Sequence, residues 1–298
     1  RAARACAARR RTRASVRRRL SSSAASSSPS SVANASRSSR DEPANECVPA
    51  SRVLKAFPEL AKAARRPLPD GAEEIGRLDA TSRALLANAW ATRARSELDA
   101  SSAFATMLHG IITLDVEPSV RWLAARAVCD ELRHSEICRH MAACYGADVP
   151  ALAPPRRVEQ ATAGPVVHAI ANCAISETIA SAFLSRSLDD AESALSHAVV
   201  RELLEDEVDH SRIGWALLAG MDKGEQRALT AVLPQIVRIV RNLWLDAAEK
   251  TGDDLPRGHG CLRGTDLLTV VDDAFRELVI PGLSYAGIDP TSVRRELG

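Results

Sequence analysis

Four segments between residues 80 and 219 repeat apolar residues every three or four positions, and none alternates with the period of two that a half-buried strand requires. The spacing predicts helices over about 80–113, 118–145, 162–187 and 191–219, with two more over 224–249 and 265–279. Pro234 falls inside the fifth, where it could kink the helix, and Pro281-Gly282 follows the sixth. The first four are joined by short, long and short connections, the long one carrying the Pro-rich run VPALAPPRR. Aromatic residues make up 3% of a chain that is 46% hydrophobic, so its core must rest on Ala, Leu, Val and Ile, which suits close-packed helices. The expected fold is all-α: a four-helix bundle over 80–220 with a C-terminal helical extension over 221–298 packed on it.

The apolar stripe of each bundle helix is interrupted at its middle by an acid. In the first, Trp90, Ala94, Phe104 and Ile111 flank Glu97; in the third, Ile170, Cys173, Ala180 and Leu184 flank Glu177. The second and fourth carry more: Ala127 and Cys138 flank Glu131 and His134, and Leu203 and Gly214 flank Glu207 and His210. The local sequences are DELRH at 130–134 and DEVDH at 206–210, and of seven histidines only these two have Glu three positions earlier. A lone buried carboxylate costs several kcal/mol or stays protonated, on the order of 2–7 kcal/mol for an unpaired polar group. Four independent burials of that kind would oppose folding, whereas four carboxylates meeting around cations would not.

Register supports such a meeting. Glu and His at i and i+3 share one helical face, so each cassette offers an oxygen and a nitrogen to one place. Glu97 precedes Glu131 by 34 residues and Glu177 precedes Glu207 by 30, each pair spanning a central turn, so two antiparallel hairpins bring them to similar heights. Glu192 and Glu159 compete with Glu177 for the third position, but both fall near predicted helix ends. Oxygen-rich ligation with one imidazole per ion suits iron or manganese better than zinc, which favours tetrahedral sites richer in His or Cys.

Over about residues 85–219 the sequence resembles the ferritin-like superfamily of di-iron carboxylate proteins, the match resting on Glu97, Glu131-x-x-His134, Glu177 and Glu207-x-x-His210. The resemblance implies two iron ions, with manganese open at one or both positions, bridged by Glu131 and Glu207 and capped by Glu97 and Glu177. It also implies that Asp206 orients His134 and Asp130 orients His210, each from the opposite hairpin. The implied activities are an oxidoreductase or ferroxidase using O₂ or peroxide, with a small-molecule substrate or reductant that the sequence does not identify. Iron storage and a metal-free helical bundle with a binding or structural role are the alternatives. Rubrerythrin-like peroxidases usually carry two Cys-x-x-Cys pairs and this chain has neither. Arylamine N-oxygenase relatives usually add a histidine where Leu203 stands. The extension over 224–298 exceeds that of compact ferritin subunits and favours an enzyme. The likeness is greatest to bacterial ferritin-like proteins without an established substrate.

The remaining sequence sets bounds. Residues 1–40 hold eleven Arg and no Asp or Glu; removing them from a net charge of +1 leaves −10 for the rest, which suits cations better than nucleic acid. That Arg- and Ser-rich segment is expected to be disordered; it matches a transit peptide in outline and lacks the apolar stretch of a secretory signal. A cytoplasmic location is favoured over export or targeting. Residues 41–79 read as a Pro-interrupted lead-in, with short helical pieces around 52–64. Seven scattered cysteines without a Cys-x-x-Cys pair do not describe a disulfide framework. No apolar run is expected to reach the ~18 residues that cross a bilayer, so no transmembrane segment is expected. His109, His140, His168 and His197 lack a matching carboxylate and read as surface or ordinary core, and Trp90 and Phe104 read as packing.

Overall fold

Asp79 starts the first long helix: its side chain accepts a hydrogen bond from the backbone N–H of Ser82 at 2.8 Å, filling one of the donor positions a helix start leaves open. The structure is a computed structural model that describes residues 64–148, 152–155 and 164–298, all within the unit Pro49–Gly298. After a short α1 (Ala72–Gly76) come α2 (Ala80–Ile111) and α3 (Pro118–Cys144), the latter opened by Pro at its first turn. They form an antiparallel hairpin, clasped where Ser135 Oγ donates to the Ala94 carbonyl at 2.8 Å. α4 (Pro165–Asp189) and α5 (Ala194–Ala219) form a second hairpin, with Ser193 capping α5. α6 (Lys223–Thr251) opens on a capping box made by Asp222 and Glu225 and runs through Pro234. α7 starts at Gly264 and ends at Tyr285, and α8 (Thr291–Leu297) closes the chain. Among the described residues every regular element is helical. The helical pieces expected around 52–64 lie outside the described residues apart from their last position.

Two departures from a regular 3.6-residue period stand out. α4 is π-helical over Ile170–Ser176, immediately before Glu177. The wider turns rotate the buried face, so Thr178 and Ile179 are buried after Glu177, while Ala180, which the regular stripe places in the core, is half-buried. α7 likewise changes to π geometry over Phe275–Val279 and resumes as an α-helix over Ile280–Tyr285. The sixth helix therefore does not stop before Pro281: that proline occupies the first turn of the resumed segment, where its missing N–H is tolerated.

The membrane expectation also changes. α4 contains an 18-residue window of mean hydropathy 1.3, enough by length and composition to cross a membrane, and 44% of that window is buried. The helix touches α2, α5, α6 and α7, and a helix contacted on several sides is apolar around most of its circumference.

The core forms two apolar clusters. One joins Phe104, Ala124, Ile175 and Ile213 to Val237, Val271, Phe275 and Leu283 of the C-terminal helices. The other gathers Trp90, Ile137, Met141, Leu184, Val200 and Leu203. Along α2, α3 and α5 one cluster gives way to the other at Glu97, Glu131-His134 and Glu207-His210, and along α4 it does so between Ile179 and Leu184, just beyond Glu177. A polar layer thus lies between two dry ones.

Candidate metal centre

The six side chains singled out in the sequence meet in that layer. Ligand atoms of Glu97, Glu131, His134 and Glu207 all lie within 4.8 Å of one another, and the same holds for Glu131, Glu177, Glu207 and His210. Glu131 and Glu207 belong to both groups, while Glu97 with His134 and Glu177 with His210 define two ends. Glu131, His134, Glu207 and His210 are at most 3% exposed, and Glu97 is 9% exposed. Glu192 is exposed in the connection before α5, and Glu159 lies outside the described residues.

Both imidazoles are oriented the same way. His134 Nε2 is 3.1 Å from Asp206 Oδ2, and His210 Nε2 is 3.4 Å from Asp130 Oδ2, each aspartate coming from the opposite hairpin. Nδ1 of both rings therefore faces the carboxylates. His210 Nδ1 is 3.0 Å from Glu131 Oε1 and 3.1 Å from Glu207 Oε2. His134 Nδ1 is 3.3 Å from Glu207 Oε1 yet makes no hydrogen bond, and Glu131 Oε2 is buried and likewise without a partner. Unpaired buried polar atoms are uncommon and call for a ligand or a water. Here they are a nitrogen and an oxygen aimed at one space, a donor set that fits divalent cations.

The charges are held in place by protons. Burial, reinforced by Glu131 and Glu207 and opposed by Arg93, raises the Glu97 pKa to about 7. Burial and the adjacent Glu207 carboxylate push Glu177 well above the usual range. Glu207 goes the opposite way: burial opposes its charge, but the close imidazoles of His134 and His210 hold it well below the ordinary carboxyl value. Both imidazoles are raised well above 6.5 against their burial, by their aspartate partners and by Glu131 and Glu207. Glu97, Glu177 and both imidazoles thus hold their protons more tightly than the isolated groups do.

Four arginines complete the surroundings, and motif reading finds none of them. Arg133 pairs with both aspartates, reaching Asp130 Oδ1 at 2.9 Å and also bonding Asp206. Arg126 Nε holds Asp130 Oδ2 at 3.0 Å, and Arg65 Nη2 lies 3.1 Å from Asp130 and 2.7 Å from Asp206. These cations oppose the burial of Asp130 and Asp206 and, with the histidines, keep both carboxyls below their usual range. Arg126 and Arg133, four before and three after Asp130, share its helix face and are a signal the sequence contains. Arg65 comes from the chain before α1, with no periodic signal. Arg93, one turn before Glu97, donates through Nε to Glu97 Oε1 at 3.0 Å. Its guanidinium stands 5.6 Å from the Trp90 ring centre and 5.0 Å from that of Phe183, so Trp90 is more than filler.

The other histidines stay outside this layer. His109, His140 and His197 are exposed, His168 is buried against Asn172 at 3.1 Å, and His259 bonds the Tyr145 hydroxyl at 2.9 Å. An open cleft of about 720 Å³ between α4, α5 and α7, lined by Ser181, Leu204, Val208 and Leu278, includes none of the six. Comparison with protein-family models, curated proteins and solved structures finds no match.

Proposed function

We propose that the chain is a ferritin-like di-iron carboxylate protein, in which α2, α3, α4 and α5 form the four-helix bundle and the polar layer holds two iron ions. Glu131 and Glu207 would be shared by both ions, Glu97 and His134 would complete one end, and Glu177 and His210 the other. Manganese fits the same donors. The single observation that carries this reading is the shared position of Glu131 and Glu207 in two overlapping groups of four ligand atoms, each within 4.8 Å. The orphaned Glu131 Oε2 and His134 Nδ1 support it independently.

The proposed activity is oxidation by O₂ or peroxide, as an oxidoreductase or ferroxidase. Bound iron supplies one-electron changes at each ion, which reduction of those oxidants needs. The protein's own contribution is preparation. Asp206 and Asp130 fix which imidazole nitrogen faces inward, and four carboxylates offset the charge of two divalent ions. Phe104, packed 5.1 Å from His210, and the apolar residues on both sides keep water out. Glu177 and Glu97 hold protons that they release when their oxygens take up cations.

Anaerobic ferrous loading followed by O₂ tests the proposal. About two irons per chain, with ferric absorption growing on exposure, is the expected result. Hundreds of irons per assembly would move the assignment to storage, and no stoichiometric metal would leave a helical bundle without this function.

A further inference from the structure

The two ends of the cluster are chemically alike in ligands but unlike in their neighbours. At the Glu97 end stands Arg93, whose side chain is 14% exposed and, among the described residues, has its ion pair with Glu97 alone. Its Nη1 is buried without a hydrogen-bond partner. Around it are the rings of Trp90 and Phe183 and the buried thiol of Cys138, so no further anion dilutes its charge. At the Glu177 end the charged neighbours are Glu207, Glu131 and His210, and no arginine or lysine is paired with Glu177 among the described residues. The arginines around Asp130 and Asp206 do not account for the difference, because Arg65, Arg126 and Arg133 each lie within 4.0 Å of both aspartates.

We propose that Arg93 is a positioning residue that makes the Glu97–His134 end the weaker of two metal positions, so that the Glu177–His210 end fills first. The inference rests on the two-metal reading. A guanidinium competes with a cation for the Glu97 oxygens and repels any ion placed beside that carboxylate, and in a buried site this repulsion is poorly screened. Among the described residues no arginine or lysine pairs with Glu177, so an ion entering there meets no fixed cation of that kind. The second metal would therefore enter against Arg93, and Glu97 would divide its two oxygens between ion and guanidinium.

Equilibrium dialysis of the full chain against ferrous ion under anaerobic conditions, with Glu97→Gln, Glu177→Gln, Arg93→Met and Arg93→Lys beside the wild type, tests this. Repulsion between two bound ions separates their affinities whichever end fills first, so the variants decide the order. Glu97→Gln should keep one iron at the tighter affinity, and Glu177→Gln should keep one iron bound at least about tenfold more weakly. Arg93→Met should strengthen the second wild-type site severalfold, and Arg93→Lys, which keeps the charge, should not. Equal single-iron affinities in the two glutamine variants, or the reverse order, would overturn the proposal even if Arg93→Met proves too unstable to measure. Two irons bound by the wild type with that outcome would leave the di-metal reading standing, whereas no binding by the wild type would remove both.

Discussion

Protons and metal ions compete for the same atoms in this cluster, and the sign of that competition follows from the directions of the pKa shifts. Glu97 keeps its proton up to about pH 7, and Glu177, His134 and His210 keep theirs above the ordinary values of 4.5, 6.5 and 6.5. Each must be lost for a cation to bind, so ferrous or manganous affinity should rise with pH and keep rising through pH 7. Glu207, already ionised, adds nothing to that slope. Dialysis at pH 6, 7 and 8 measures it, and an affinity independent of pH would contradict the assignment of those protons. Bridging makes a second prediction: Glu131→Ala and Glu207→Ala should each abolish binding at both positions, and full metal content in either would exclude the shared role. The residues of the polar cluster were legible because Glu-x-x-His, preceded by Asp, recurs inside an apolar stripe. Arg65 was not legible, since its partners Asp130 and Asp206 are 65 and 141 positions away. No motif marks Arg93 in the sequence.

The elements show where periodicity is a sufficient guide and where it fails. Most long helices begin and end within about three residues of their expected bounds because Asp79, Ser193 and Asp222 cap their starts through side-chain oxygens and Pro118 opens α3. The π-helical segment of α4 was not legible, because its cause is tertiary. Gly214 lets α5 approach that segment so closely that an added Cβ would lie 2.2 Å from the Ala174 backbone nitrogen. Gly214 is one turn beyond His210 and Ala174 is three residues before Glu177, so this contact sets the distance between two proposed ligands. Gly214→Ala should force the helices apart, lowering stability by about 1–3 kcal/mol in denaturant unfolding and weakening metal binding at the Glu177 end. Unchanged stability and unchanged affinity together would mean that the close approach is not needed.

For the whole molecule, the C-terminal helices are part of the core. Phe275 and Val271 of α7 and Val237 of α6 belong to the same apolar cluster as Phe104 and Ile213. Gly282 sits against the Trp215 ring, where a Cβ would come within 2.5 Å of it. Trp215 in turn donates to Thr178 Oγ1 at 3.0 Å, the residue after Glu177. Phe275→Ala should therefore cost about 3–5 kcal/mol, read as a fall in the unfolding midpoint, and a shift under 1 kcal/mol would show that α7 is dispensable. Amphipathic spacing predicted that 221–298 would be helical and packed, but not which face of α2 to α5 it would cover, since many apolar faces of similar size compete for that role. Anomalous diffraction at the iron edge, from crystals loaded anaerobically with ferrous ion, locates any iron in the polar layer between the two apolar clusters. Two iron peaks flanked by Glu131 and Glu207, one near His134 and one near His210, are expected; data showing no iron within that layer would exclude the two-metal reading.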